Sequence, residues 1–332
     1  MKNIIIIFLS LFLFLFIMLF FKKNEYTEIS NNKMNYSNLE LRIGKQFGMQ
    51  YAPVYVAEKL NLLDKYLPEI KISWHKLGGG SAVTEALAGN HLDIGFMGLA
   101  PFLIARDKGL DVKIAAGISV PANSLVGLKN KKLNQFNEND KIIVPGIGSI
   151  QHILLSIAGK KYFNSYNYFD KNLVIMNNNE GYITLSSNKN TFSHFTVLPY
   201  IKKEIELGYT EIETGAQIIG DASIICVTTS NFNENKLAYA SFINAINEAI
   251  VLINNKDPKA IEIISAEEKI SKEEVLEYLN WGNNYYSSKI QGLNEIAYHM
   301  KNSNFIKSIP KDEDIYFENI LSNVSSKKAD DK

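Results

Sequence analysis

The stretch that most constrains the fold is Lys76 to Pro101, KLGGGSAVTEALAGNHLDIGFMGLAP. Two glycine-rich turns each stand directly before a helix-forming run. Gly78-Gly79-Gly80-Ser81 precedes Ala82–Leu87, and Gly95–Gly98 precedes the segment from Leu99 or Pro101 to Lys108. A short apolar strand, Leu92–Phe96, lies between them. A helix N-terminus carries unpaired N–H donors and a partial positive charge. Two such ends at one rim of a sheet make a concave, donor-lined place for a small polar or anionic ligand. The plainer reading, that these glycines only punctuate turns, stays open at this level. The spacing excludes two nucleotide motifs. There is no Gly-x-Gly-x-x-Gly, and Gly80 is followed by Ser81-Ala82 rather than the Gly-Lys-Ser/Thr of a P-loop. A free solute is therefore better supported than a cofactor phosphate.

The pattern around this stretch alternates strand and helix. Leu41–Ile43, Ile70–His75, Leu92–Phe96 and Val112–Ala116 read as strands, and Ala52–Leu60, Ala82–Gly89 and Pro101–Lys108 as helices. This order implies an α/β fold with mostly parallel sheets covered by helices. It then recurs with new material: strands at Ser124–Leu128, Lys141–Val144, Leu173–Met176 and Thr196–Leu198, helices at Ile150–Lys161 and Pro199–Leu207. Gly148-Ser149 stands before its helix as Gly80-Ser81 stands before the earlier one. Two similar halves predict a cleft beyond the carboxyl ends of the strands. The last third is helical. Leu237–Ile253 carries an apolar helical stripe, Asp257-Pro258 starts a helix, and Ser271 to Glu274 fits a capping box. Trp281, Tyr285 and Tyr286 read as packing residues.

Composition narrows the class. A 332-residue chain with 46% hydrophobic and 21% charged residues is globular, and its length suggests two domains. Formal net charge is zero, without the basic surplus of a nucleic-acid binder. Cys226 is the single cysteine, so an intramolecular disulfide, a cysteine zinc site and an iron–sulfur cluster are excluded. Ile4–Phe21 is apolar apart from Ser10. As a helix it spans about 27 Å, close to a ~30 Å hydrocarbon core. It reads either as an uncleaved membrane anchor or as a cleaved leader, and both are export-directed. The expected organisation is an anchor or signal segment at 1–23, a polar linker at 24–38, lobe 1 at 39–122, lobe 2 at 123–220, a return to lobe 1 at 221–324 and a polar tail at 325–332.

The residues Leu41-Arg42-Ile43-Gly44, Ala52–Leu60, Gly79-Gly80-Ser81, Glu85–Gly89, Leu92–Gly95 and Gly98–Pro101, with weaker matches at Ile142–Gly148 and Pro199-Tyr200, carry a resemblance. Over roughly Leu41 to Tyr286 the chain resembles the nitrate/sulfonate/taurine branch of ABC-transporter substrate-binding proteins. The resemblance implies a two-lobed, periplasmic-binding-protein-like type II fold that hands a small solute to a membrane permease and its ATPase, as a monomer and without cofactor or metal. It also implies the ligand turns: Met49-Gln50-Tyr51, Gly80-Ser81, Gly98-Leu99 through Pro101, Ser119, and Gly148-Ser149. The chain departs from the family where an acidic residue is common before Pro-Tyr. Leu198 stands there, in FSHFTVLPY. That departure makes His194 and Thr196 candidate contacts, and Gln151-His152 lies beside the second-lobe turn. Met49, Tyr51, Met97 and Phe195 are expected to supply apolar walls. The only arginines, Arg42 and Arg106, fall on none of these turns. Their placement argues against a strongly anionic sulfonate and towards a weakly charged or aromatic solute.

Two other functions compete. A tethered ligand-sensing domain needs a partner receptor. An enzyme of the same fold, similar to a pyrimidine-precursor synthase of thiamine biosynthesis, needs a cysteine-rich motif that Cys226 alone does not provide. No Ser/His/Asp set or paired-carboxylate spacing stands out, so the chain is expected not to be an enzyme.

Overall fold

The computed structural model describes residues 40–316, except 67, 69, 130, 188–191 and 230–235. Ile4–Phe21, the linker and the tail lie outside the described residues. Among those described, no helix is long and apolar enough to cross a membrane. The first run of elements is β1 (Glu40–Lys45), α1 (Ala52–Lys59), α2 (Leu62–Tyr66), β2 (Lys71–Lys76), α3 (Gly80–Ala88), β3 (Ile94–Gly98), α4 (Leu99–Asp107) and β4 (Val112–Ser119). The second is β5 (Asn123–Gly127), β6 (Lys141–Val144), α5 (Ile150–Phe163), β7 (Leu173–Ile175), α6 (Asn178–Ser187), β8 (Phe192–Val197), α7 (Tyr200–Glu206), β9 (Thr210–Thr214) and α8 (Gly215–Ile219). The chain ends with β10 (Ile224–Thr229), α9 (Lys236–Asn254), α10 (Pro258–Glu268), α11 (Lys272–Tyr278), α12 (Leu293–Asn302) and α13 (Asp312–Ile315).

These strands form two five-stranded sheets, ordered β2-β1-β3-β10-β4 and β7-β6-β8-β5-β9, within one compact unit. Each sheet is mixed, and for one reason. β1 and β3 are parallel, but β10 inserts antiparallel between β3 and β4. In the second sheet β7, β6 and β8 are parallel, and β5 lies antiparallel between β8 and β9. The inserted strand is in each case the one that arrives from the other sheet. β3 and β4 still run the same way, as do β8 and β9, so the strand ends that carry the turns collect at one edge of each sheet. The result is an α/β fold of two lobes.

The chain crosses between lobes at 119–123 and at 214–224, and one loop straps both crossings. Gly117 N–H donates to Ser288 C=O at 2.9 Å, and Val120 and Tyr285 exchange backbone bonds of 2.8 and 3.0 Å. The Tyr285 hydroxyl and Asn283 amide donate to Asp221 at 2.7 and 3.1 Å. Gln291 N–H donates to the Ser223 hydroxyl at 2.8 Å. Caps sit where the side chains allow them. Asp257 accepts from Lys259 and Ala260 amides, and Ser271 with Glu274 forms a reciprocal capping box. Cys226 is fully buried, and burial pushes its thiol pKa up.

The approach at Gly117 is too close for any side chain. A Cβ there would lie 2.5 Å from the Lys289 carbonyl oxygen and 3.1 Å from that of Ser287. Both obstacles are backbone, which cannot swing aside as a rotamer does. Gly117→Ala is expected to lower unfolding free energy by about 1–3 kcal/mol, the cost of overpacking. A urea titration checks this through the midpoint at unchanged slope.

Candidate functional site

The turns at the strand ends of the two lobes meet. A Cβ built on Gly80 would lie 3.2 Å from Pro101 Cγ, and one on Gly98 would lie 3.8 Å from Pro101 Cδ and 4.0 Å from Ile150 Cβ. One on Gly148 would lie 2.6 Å from Ile104 Cδ1. Gly80, Pro101 and Gly98 of lobe 1 therefore form a line that reaches Ile150, the first residue of α5 in lobe 2. Gly148 has φ +77°, so it needs glycine for its backbone as well as for space.

The lobe 1 helix ends at this edge are open. α1, α3 and α4 start at Tyr51, Gly79 and Gly98, with no side-chain cap and no acidic residue in the first turn. Ser81 is exposed in the first turn of α3, while Leu99 is buried in that of α4. α5 differs, because its N-cap Ser149 accepts the His152 N–H at 3.3 Å. The start of α3 leaves its first amides unpaired by the helix, and α4 leaves those of Leu99 and Ala100; Pro101 has no N–H, and at α1 Pro53 has none while the Tyr51 and Ala52 amides donate to Gly48 and Met49 carbonyls.

The Met49-Gln50-Tyr51 turn is buried and fixed through its backbone. The Tyr286 hydroxyl donates to Met49 C=O at 2.7 Å, and the Ser119 hydroxyl donates to Gln50 C=O at 2.8 Å. Ser119 thus acts on the turn itself. In lobe 2 the Gln151 amide donates to Asn123 Oδ1 at 3.1 Å, joining α5 to the first crossing.

Other expected contacts sit elsewhere. His152 is buried with its edge against Phe305, ring centroids 5.0 Å apart, and its Nδ1 accepts the Gly148 N–H at 3.0 Å. It braces its own turn. His194 has no exposed surface. Its Nδ1 lies 2.6 Å from Glu204 Oε1, and its ring packs where a Cβ on Gly181 would be 2.6 Å away. Burial raises the Glu204 pKa. Thr196 is equally buried and donates to Asn178 Oδ1 at 3.3 Å. These two side chains tie β8 to α7 and α6, which corrects the expectation that they contact solute. The expected apolar walls are also corrected: Met49, Tyr51, Met97 and Phe195 are core residues. The exposed apolar side chains at these turns are Phe47, at 60%, and Ile147, at 66%. Neither is singled out by sequence, because a hydrophobic residue beside a glycine reads as core.

Both arginines are spent on structure. Arg42 grips Asp93 through Nε at 3.0 Å and Nη2 at 2.8 Å, and Arg106 pairs with Asp111 at 3.1 Å. Asp93 is accordingly a turn residue, as its position beside a strand suggests. Among the described residues no group of three His, Cys, Asp or Glu is placed to hold a metal ion.

Ser149 and His152 generate a prediction together. Ser149→Ala removes the α5 N-cap and is expected to cost about 1 kcal/mol. His152 is kept neutral by burial, with its pKa below the usual histidine value. The unfolded chain then binds a proton first as pH falls below about 6.5, so stability drops with acidification in that window. His152→Asn is expected to flatten this decline, measured as urea midpoints of the two proteins between pH 7 and 5.

No family model matches the sequence. No curated protein matches it either. Solved structures do. A ligand-binding component of an ABC-type import system from Staphylococcus aureus, with zinc bound, is 20% identical; the match covers 86% of this chain and 98% of that one, with TM-score 0.71. The periplasmic aliphatic sulphonate binding protein SsuA from Escherichia coli is 18% identical over 84% of this chain and 92% of its own, with TM-score 0.68. The alkanesulfonate-binding protein SsuA from Xanthomonas axonopodis pv. citri, bound to MOPS, is 17% identical over 82% and 94%, with TM-score 0.67. With its two mixed sheets and turns gathered at one edge of each, the chain has the periplasmic-binding-protein fold.

Proposed function

We propose that this chain is the extracytoplasmic solute-binding component of an ABC importer. The observation that carries this reading is the line Gly80–Pro101–Gly98–Ile150, which sets open helix ends of lobe 1 against the first turn of α5 in lobe 2. A solute seated there touches both lobes, and closure around it reports loading to the permease and ATPase. The jaws are 39–122 with 221–324 on one side and 123–220 on the other. The segment 1–23 anchors or exports the chain, and 24–38 tethers it as a monomer. The neighbouring folds belong to transport proteins.

The solute is a small polar, anionic or aromatic organic molecule of the nitrate/sulfonate/taurine type. Hydrogen bonds from backbone amides to a charged group net about 1.5–3 kcal/mol each. Four or five of them reach the ~8 kcal/mol of micromolar binding after the cost of association, without an arginine. Phe47 and Ile147 supply exposed apolar surface beside Gly48 and Gly148 for the solute body.

The test is a thermal-shift screen of the full-length chain against nitrate, sulfonates, taurine and pyrimidines. A true solute at one hundred times its dissociation constant adds about 2.7 kcal/mol of stability and is recovered unchanged. Ser81→Ala is expected to weaken that binding several-fold while shifting stability by less than ~0.5 kcal/mol, as an exposed substitution does. A flat response to every solute class counts against the receptor reading.

A further inference from the structure

The turn that follows β1 differs in chemistry from the other lobe 1 turns, because acceptors converge on it. Gly48, at φ +112°, donates its N–H to Glu268 Oε1 at 3.1 Å. On the same residue, a Cβ would lie 2.6 Å from Gln50 Oε1. Gln50 is 9% exposed, and its Oε1 is buried without a hydrogen-bond partner. Three hydroxyls around it donate elsewhere, while that of Tyr51 lies beside the Gln50 side chain. Tyr55 donates to Gln46 C=O at 2.8 Å, Tyr286 to Met49 C=O and Ser119 to Gln50 C=O, each at 2.7–2.8 Å. A buried acceptor without a partner is costly, and native structures supply such an atom with a donor.

Glu268 adds negative charge to the same place. Burial raises the hydroxyl pKa of Tyr55 and Tyr286 of lobe 1 and of Tyr200 of α7 in lobe 2, and the charge of Glu268 adds to each rise. The carboxyl is itself raised, first by burial, with Glu267 adding to the rise and Tyr55, the Gly48 amide and Lys203 opposing it. Glu267 is neutralised by Lys59 at 3.3 Å. Lys203, on α7, is the cation that faces Glu268 from the opposite lobe, and it makes no ion pair with it among the described residues. Its ammonium lies 5.9 Å from the Tyr200 ring centroid.

Resting on the receptor reading above, we propose that Glu268 and Gln50 receive a protonated amine of the bound solute. The ammonium group brings three donors and a positive charge to a buried free acceptor and a carboxylate. Lys203, whose charge acts on Glu268 from α7, is the internal competitor. An amine-bearing solute also explains how the cleft functions with both arginines committed to Asp93 and Asp111.

The experiment titrates the full-length chain with tyramine, benzylamine and putrescine, with their N-acetyl forms, and with ethanesulfonate. At least one amine is expected to bind, with its N-acetyl form at least tenfold weaker. Glu268→Gln is expected to weaken amine binding at least tenfold and not to weaken any ethanesulfonate binding, since it removes a like charge. Lys203→Met is expected to tighten amine binding about threefold, an effect that a purely structural Glu268 does not produce. Should Glu268→Gln fail to fold, Lys203→Met and the N-acetyl comparison still decide. Ethanesulfonate binding without amine binding overturns the amine assignment and leaves the receptor reading standing. Equal affinity for an amine and its N-acetyl form, or amine affinity unmoved by both substitutions, overturns it as well. Silence toward these probes and toward the wider solute panel sinks both.

Discussion

The arrangement of the two lobes depends on the burial of α5 from every side. Its residues Gln151 to Gly159 are all buried. Leu154, Leu155 and Ala158 pack into the core of lobe 2 with Phe169 and Phe195. Ile153 and Ile157 pack into the core of lobe 1 with Leu103, Ile296 and Met300. Ile150 touches both. A helix whose apolar residues point to both sides, with its few polar ones hydrogen-bonded, has no solvent face along this stretch and must be enclosed. Here two lobes enclose it, so the start of α5 is held against Gly98 by packing on two opposite sides. Apolar burial of about 25 cal/mol per Å² acts on both faces at once.

The proposed closure would therefore leave α5 in place or carry it as a body. The strap from Asn283 to Gln291 is suited to that requirement. It bonds the first crossing at Gly117 and Val120 and the second at Asp221 and Ser223. Rotation of one lobe then bends both crossings together about a common loop. On the far side the lobes meet through charge. Lys202 of α7 pairs with Glu277 of α11 and lies 5.5 Å from the Tyr278 ring centroid. A dry seam on one side and an ionic contact on the other differ in how readily they separate in water.

The electrostatics of the edge follow from what the structure has already consumed. Arg42 and Arg106 are paired, the β8 polar side chains are paired inside lobe 2, and Ser149 caps its own helix. What is left unpaired is backbone: the amides that open α3 and α4. The Gly48 turn is the exception, where Glu268 and Gln50 leave acceptor capacity instead. The edge is thus polarised, with donors along the α3 and α4 starts and acceptors at the turn after β1.

Local pattern was enough for the elements and for the turns that lead the helices. Alternating apolar runs, Pro at a first helical turn, the Asp257 cap and the Ser271 box all act within a few residues, so they are legible in one dimension. Helix α3, expected from Ala82, starts at Gly80, and α4 starts at Leu99, the earlier of its two expected starts, because glycine can cap as well as turn. α6, β9 and α8 were not legible: their segments carry little periodic apolar signal and are shaped by the sheet they pack on. Burial sense was the other loss. Phe195, Met97, His194 and Thr196 share a polarity pattern with site residues, and only sheet register turns them inward. The pairing of distant segments lies wholly in tertiary structure: β10 beside β3, Glu268 at Gly48, and the strap across both crossings join residues from 62 to 220 positions apart. Chain order encodes which residues are available at the strand ends. Packing around α5 decides which of them face one another.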